Sequence, residues 1–241
     1  MKAILYIGHG TRSKKGADEA RAFFARVSER VDVALQEISF LELTEPSIEE
    51  GFRRCVEKGA TEVAVVPLFL LAAGHIKQDI PNVLKVLSSA YPDIPINVKD
   101  PFGVQSKILD AVAELVRVTA GPVGFQDRVL IVGRGSSDPA TLADFGLIAD
   151  GVKERLGITG VSVCYLAAAE PRLQEGLAAV LDDAEGKVIV IPYLLFTGLL
   201  IAEVKAEIRK WSKLGREIYH TGILSSHRVI EDIVVERALS R

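Results

Sequence analysis

The sequence predicts an α/β protein of two similar domains, each a four-stranded parallel sheet in the order 2-1-3-4 flanked by helices. Three observations lead there. Short, almost uninterrupted apolar runs alternate with amphipathic stretches, as in parallel sheets covered on both faces. The whole pattern then occurs a second time at a fixed interval. Finally, glycine and proline cluster near the middle of the 241 residues, in "TAGPVGFQD" at 119–127.

The elements follow in order. "KAILYIG" opens the chain as a candidate strand at 2–8, and "ADEARAFFARVSER" follows with apolar residues three and four apart, a helical spacing. Further candidate strands lie at 33–41, 62–69 and 95–99, then at 128–133, 160–167, 187–195 and 216–221, with helical patterns between them. Right-handed crossovers and the common doubly wound order set strands 2, 1, 3 and 4 of each half side by side.

The repeat is explicit. A shift of 125 carries "ILYIGHGTR" onto "VLIVGRGSS", "TEPSIEEGF" onto "AEPRLQEGL" and "VVPLFLL" onto "VIPYLLF" without insertion. Gly8 falls on Gly133, Pro46 on Pro171 and Pro67 on Pro192. A period this long is far outside the ~20–50 residues of solenoid repeats, so it reads as two domains, 1–120 and 121–241.

The totals narrow the function. With 29 basic against 32 acidic residues and a pI of about 5.9, the chain has no global positive field for nucleic acid. No apolar run approaches the ~18–20 residues that span a bilayer, and Met1 and Lys2 lead straight into a strand, so no membrane association and a cytoplasmic location are expected. Cys55 and Cys164 stand alone, which argues against disulfides, thiolate zinc sites and an iron–sulfur cluster. Neither half carries a GxxxxGK[ST] loop or a complete G-x-G-x-x-G fingerprint, so no nucleotide is expected.

Polar residues at strand ends carry the chemistry. His9 follows the first strand and His75 comes just after the third, two of only four histidines in the chain. Ligands of open α/β sheets bind outside the carboxyl ends of the strands, where the order reverses. The repeat supplies a control: His9 becomes Arg134, His75 becomes Leu200 and Glu42 becomes Ala167, whereas Glu45 persists as Glu170. Glu45 therefore reads as a structural acid near a helix start, and the other three as one site in one half. Two imidazoles and a carboxylate suit a first-row divalent ion and leave coordination positions open for a substrate. Each histidine taken singly reads as an ordinary loop residue; the joint loss in the second half is what favours a metal site.

Taken together, "YIGHGTR", "FLELTEPSIEEG", "VPLFLLAAGHIKQDIP", "GRGSSDP" and "PYLLFTGLL" resemble the long, two-domain sirohydrochlorin chelatases. The resemblance spans essentially the whole chain. It implies two chelatase-type domains around a cleft, with His9, Glu42 and His75 as metal-handling and catalytic residues. It further implies insertion of Fe2+ into sirohydrochlorin, with Co2+ or Ni2+ as other candidate ions and no cofactor beyond that substrate metal. The histidine-rich segment and carboxy-terminal MxCxxC motif of some cobalt-specific members are absent, which favours iron.

Sirohydrochlorin is rich in carboxylates, so basic and hydroxyl groups should rim the site. By position these are Thr11, Arg12 and Lys77, with Arg134, Ser136 and Ser137 from the equivalent loop of the second half. Lys14 and Lys15 read as a solvated helix start, and Gly133 and Gly135 as a tight turn. His220 and His227 read as surface residues, Cys55 as core and Trp211 as helix packing. The expected partners are the tetrapyrrole and the metal, with no nucleic acid and a monomeric chain. A cobaltochelatase, a carrier that binds without turnover and a two-lobed binding protein are the competing readings.

Overall fold

The structure, a computed structural model, describes residues 1–240, with the backbone alone at His75. All eight expected strands form. Those of the first half are β1 (Lys2–Gly8), β2 (Leu35–Phe40), β3 (Glu62–Pro67) and β4 (Ile96–Val98). Their counterparts are β5 (Arg128–Gly133), β6 (Val161–Tyr165), β7 (Val188–Pro192) and β8 (Ile218–His220). The two sheets run β2-β1-β3-β4 and β6-β5-β7-β8, and every pairing is parallel. Six of the seven residues of β1 and all five of β7 are buried, as expected of strands covered on both faces. The strands end up to three residues inside the sequence expectation, because apolar loop residues such as Leu68 and Tyr193 stay buried after the pairing stops.

The helices are α1 (Lys14–Ser28), α2 (Ile48–Glu57), α3 (Ile80–Ala90), α4 (Ser106–Ala120), α5 (Pro139–Leu156), α6 (Leu173–Asp183), α7 (Leu199–Lys213) and α8 (Arg228–Leu239). Among the described residues none is long and apolar enough to cross a membrane. Local rules explain the boundaries. Ser13 caps α1 by accepting from the Gly16 amide, and Asp138, its counterpart, caps α5 through the Ala140 amide. Gly51 and Gly176 let α2 and α6 approach their strands: a Cβ there would stand 2.8 Å from the Ser39 Cβ and 2.4 Å from the Cys164 Cβ.

Contacts divide the chain into two compact units, Met1–Gly103 with Ile230–Arg241, and Val104–Val229. This differs from the division at 120/121 drawn from the repeat. Each repeat contributes its four strands to one unit, but its last helix belongs to the other unit. The apolar face of α4, with Ile108, Leu109, Val112 and Val116 buried, packs on α5, β7 and β8. Leu109 sits where a Cβ on Gly151 of α5 would be, only 2.4 Å away. In the first unit α8 is held through charge as well as burial: Glu231 accepts from Arg26 at 2.6 Å and from Arg30 at 3.4 Å, and Arg30 also pairs with Asp232. An amphipathic pattern shows that a face is buried, not which sheet covers it.

Candidate metal-handling site

The β1–α1 and β2–α2 loops of the first unit are laced together by their backbones. The Leu41 amide donates to the Gly8 carbonyl at 2.9 Å and the Glu42 amide to the His9 carbonyl at 3.1 Å, continuing the β1–β2 ladder past its last paired strand residues. Gly10 makes this crossing with φ 90°, and a Cβ on it would fall 1.7 Å from the Glu42 carbonyl oxygen. Only glycine fits. Thr11 adds a side-chain clasp: its amide donates to the Thr44 hydroxyl, which in turn donates to the Thr11 carbonyl, both at 2.9 Å.

This lacing brings the His9 ring to the Glu42 side chain. Nδ1 of His9 lies 3.7 Å from Oε1 of Glu42, with 29% and 46% of the two side chains exposed. The separation is too long for a hydrogen bond. Two donors about 2.1 Å from one cation at a tetrahedral angle stand roughly 3.4 Å apart, so the spacing suits a shared divalent ion. Nδ1 also lies 3.2 Å from the Gly10 carbonyl. With its proton there, the imidazole donates to that carbonyl and carries its lone pair on Nε2; with the proton on Nε2, the Nδ1 lone pair is the one 3.7 Å from Glu42. The Phe69 ring, 6.1 Å away centroid to centroid, is an apolar neighbour of the imidazole.

His75 opens a five-residue π-helical turn, His75–Asp79, which runs directly into α3. Such turns are rare and recur at functional sites. The ring of His75 lies outside the described residues, and so does its distance to His9. Among the described residues no third His, Cys, Asp or Glu joins His9 and Glu42.

The rim residues have mixed fates. Arg12, Lys77, Arg134 and Ser137 are exposed, as are Lys14 and Lys15 at the start of α1. Thr11 and Ser136 are half-buried, and their hydroxyls do structural work, accepting from the Ser13 and Asp138 amides at 3.1 and 3.0 Å. Glu45 behaves as a structural acid: its carboxylate accepts from the Ser47 amide at 3.0 Å, and both Glu45–Pro46 and Glu170–Pro171 are cis. Burial pushes the Cys55 and Cys164 thiols up to about 12, so both stay protonated core groups. Trp211 packs on the second-unit core.

His227 does more than its surface reading implied. It accepts from the Val229 amide through Nδ1 at 3.2 Å, capping α8, while Nε2 meets Glu114 at 3.3 Å. The sequence signal was its place just ahead of a helical pattern, but histidine is an uncommon cap. His220 is half-buried, accepts from the Gly222 amide at 3.2 Å, and is held below the usual imidazole range by burial and by Lys205.

A family profile, CbiX, matches the chain twice, over residues 3–119 and 128–241. A sirohydrochlorin ferrochelatase of Priestia megaterium is 43% identical, the match covering 95% of this chain and 90% of that one. A sirohydrochlorin cobaltochelatase of the same organism is 30% identical, over 99% of this chain and 79% of the other. A solved structure of SirB from Bacillus subtilis with Fe3+ superposes with a TM-score of 0.85 at 38% identity, covering 98% of this chain and 93% of that chain.

Proposed function

This chain belongs to the CbiX family, and on that premise we propose that it is a sirohydrochlorin ferrochelatase, a lyase-class enzyme that inserts Fe2+ into sirohydrochlorin to form siroheme. The observation that carries the reading is the 43% identity to a ferrochelatase over 95% of the chain, well above the 30% to a cobaltochelatase. The divalent metal and the tetrapyrrole are its substrates. No nucleotide, iron–sulfur cluster or partner chain takes part in the proposed reaction, and the enzyme works as a cytoplasmic monomer.

The reaction balances without a redox step. Fe2+ enters the ring, the two inner pyrrole N–H bonds break, and two protons leave. His9, Glu42 and His75 are the proposed metal-handling residues. His9 and Glu42 offer one nitrogen and one oxygen 3.7 Å apart, and His75 comes from the next strand's loop at the opening of the π turn. An imidazole near neutral pH can also accept a pyrrole proton, with Glu42 beside it to relay the proton outward. Binding energy from the rest of the macrocycle is available to bend the flat ring and expose a pyrrole lone pair to the ion. Thr11, Arg12 and Lys77, with Arg134, Ser136 and Ser137, are the proposed contacts to the ring's carboxylates. For Thr11 and Ser136 this role is shared with the loop bonds they already make.

The test is an anaerobic absorbance assay of purified protein with sirohydrochlorin and Fe2+, Co2+ or Ni2+ in turn, against each metal alone. Multiple turnovers with Fe2+ are expected. A stoichiometric complex that releases no metallated product would make it a carrier, and a preference for Co2+ over Fe2+ would move it to the cobalt reaction.

A further inference from the structure

Leu43 combines a scaffold feature with one that the fold does not demand. It follows Glu42 directly, its backbone is left-handed at φ 61°, and 51% of its surface is exposed. Positive φ is disfavoured for any residue with a Cβ, and an exposed leucine leaves apolar surface in water. The repeat shows which of these features is scaffold. Ala168, the counterpart, has φ 54°, so the turn belongs to both halves and accepts a small side chain. The leucine belongs only to the half that holds His9 and Glu42. Its side chain is not among those packed on the core cluster of Leu5, Phe52 and Val65, although neighbouring Leu41 is. The Glu42 amide is tied to the His9 carbonyl at 3.1 Å, which fixes Leu43 one residue from the link between the two metal-handling loops.

A flat macrocycle is a ligand for such a group: it has a broad apolar face, and it must come to rest beside the ion it receives. We propose that Leu43 is a tetrapyrrole-contacting residue, its side chain bearing on the macrocycle face next to Glu42 and His9. The inference rests on the chelatase reading and adds to it the residue that grips the ring rather than the metal. Half of its surface is exposed to meet the ring, and the backbone bonds that tie Leu41 and Glu42 to Gly8 and His9 support it from the sheet side.

The experiment titrates metal-free sirohydrochlorin into wild-type protein and into Leu43→Ala, Leu43→Gly and Leu43→Met, with Co2+ titrated separately in the absence of the macrocycle. Loss of one buried leucine contact should weaken macrocycle binding about 10-fold in the Ala and Gly variants. Met should restore most of it, and Co2+ affinity should not change. Leu43→Gly should also raise the melting midpoint by about 2 °C, since glycine adopts the left-handed backbone readily. Stability and binding then move in opposite directions, which a purely structural leucine would not produce. Wild-type macrocycle affinity in Leu43→Ala overturns the proposal, and so does a parallel loss of Co2+ affinity. Wild-type protein that binds no sirohydrochlorin at all overturns the chelatase reading itself, a result distinct from either.

Discussion

His9 and Arg134 occupy the same backbone. Each follows the first strand of its half, precedes a glycine at φ 90° or 93°, and accepts through its carbonyl from the residue that opens the next loop, Glu42 or Ala167. The cis prolines at 46 and 171 and the left-handed residues at 43 and 168 also correspond. What differs is chemistry. The first half presents an imidazole, a carboxylate and a π turn that opens on His75, while the second presents a guanidinium, a methyl group and an unbroken α7 starting at Leu199. The unusual backbone is therefore a property of the duplicated scaffold, present also where His9 and Glu42 have no counterparts. Backbone geometry does not distinguish the halves; the side chains do.

The comparison breaks most sharply at the two glycines. Gly10→Ala and Gly135→Ala should each destabilise the protein by more than about 4 kcal/mol, because a Cβ would lie 1.7 Å from a backbone oxygen in both halves. Chemical denaturation of the two variants should show similar losses; a tolerated Gly135→Ala would mean that the second loop is not held as the first is. Next come the substitutions that rewrite the first half as the second. His9→Arg should reduce metallation at limiting Fe2+ by about 100-fold or more, and Glu42→Ala by about 10-fold, with melting temperatures near wild type. A fully active His9→Arg would remove the reason for treating the halves differently.

Arg134→Ala is a milder probe. An exposed cation meeting a carboxylate contributes up to about 1 kcal/mol, so KM for sirohydrochlorin should rise about 2- to 5-fold with kcat little changed. Any loss of metal affinity in this variant would contradict a role confined to the tetrapyrrole. The smallest effect belongs to His220, which the first half lacks at the matching position. Its folded-state pKa is lowered, so its contribution is present above the ordinary imidazole value of about 6.5 and is lost as pH falls below it toward the folded pKa. His220→Gln should flatten the decline in melting temperature between neutral and mildly acidic pH.

Much of the candidate site was legible in the sequence because pattern and repetition locate it. Apolar runs located the strands, the 125-residue shift aligned the halves, and adjacency of the first two strands placed His9 near Glu42. Glu45 was separable from Glu42 for the same reason. Thr11 and Ser136 were less legible: a hydroxyl after a glycine reads equally as a ligand contact or as a turn acceptor, and the loop amides at Ser13 and Asp138 are what they meet. The capping role of His227 depends on its distance to one amide and one carboxylate, which no pattern encodes.

By itself the sequence determined the elements, their parallel order and the asymmetry of chemistry between the halves, because hydrophobic period, glycine placement and internal repetition are all written in the order of residues along the chain. Only the tertiary structure decided that each repeat lends its last helix to the other unit, that Glu42 stands 3.7 Å from His9, and that the helix after β3 opens as a π turn. Those outcomes turn on which surfaces meet and how closely, and a one-dimensional pattern of apolar and polar residues leaves that undetermined until the chain has packed.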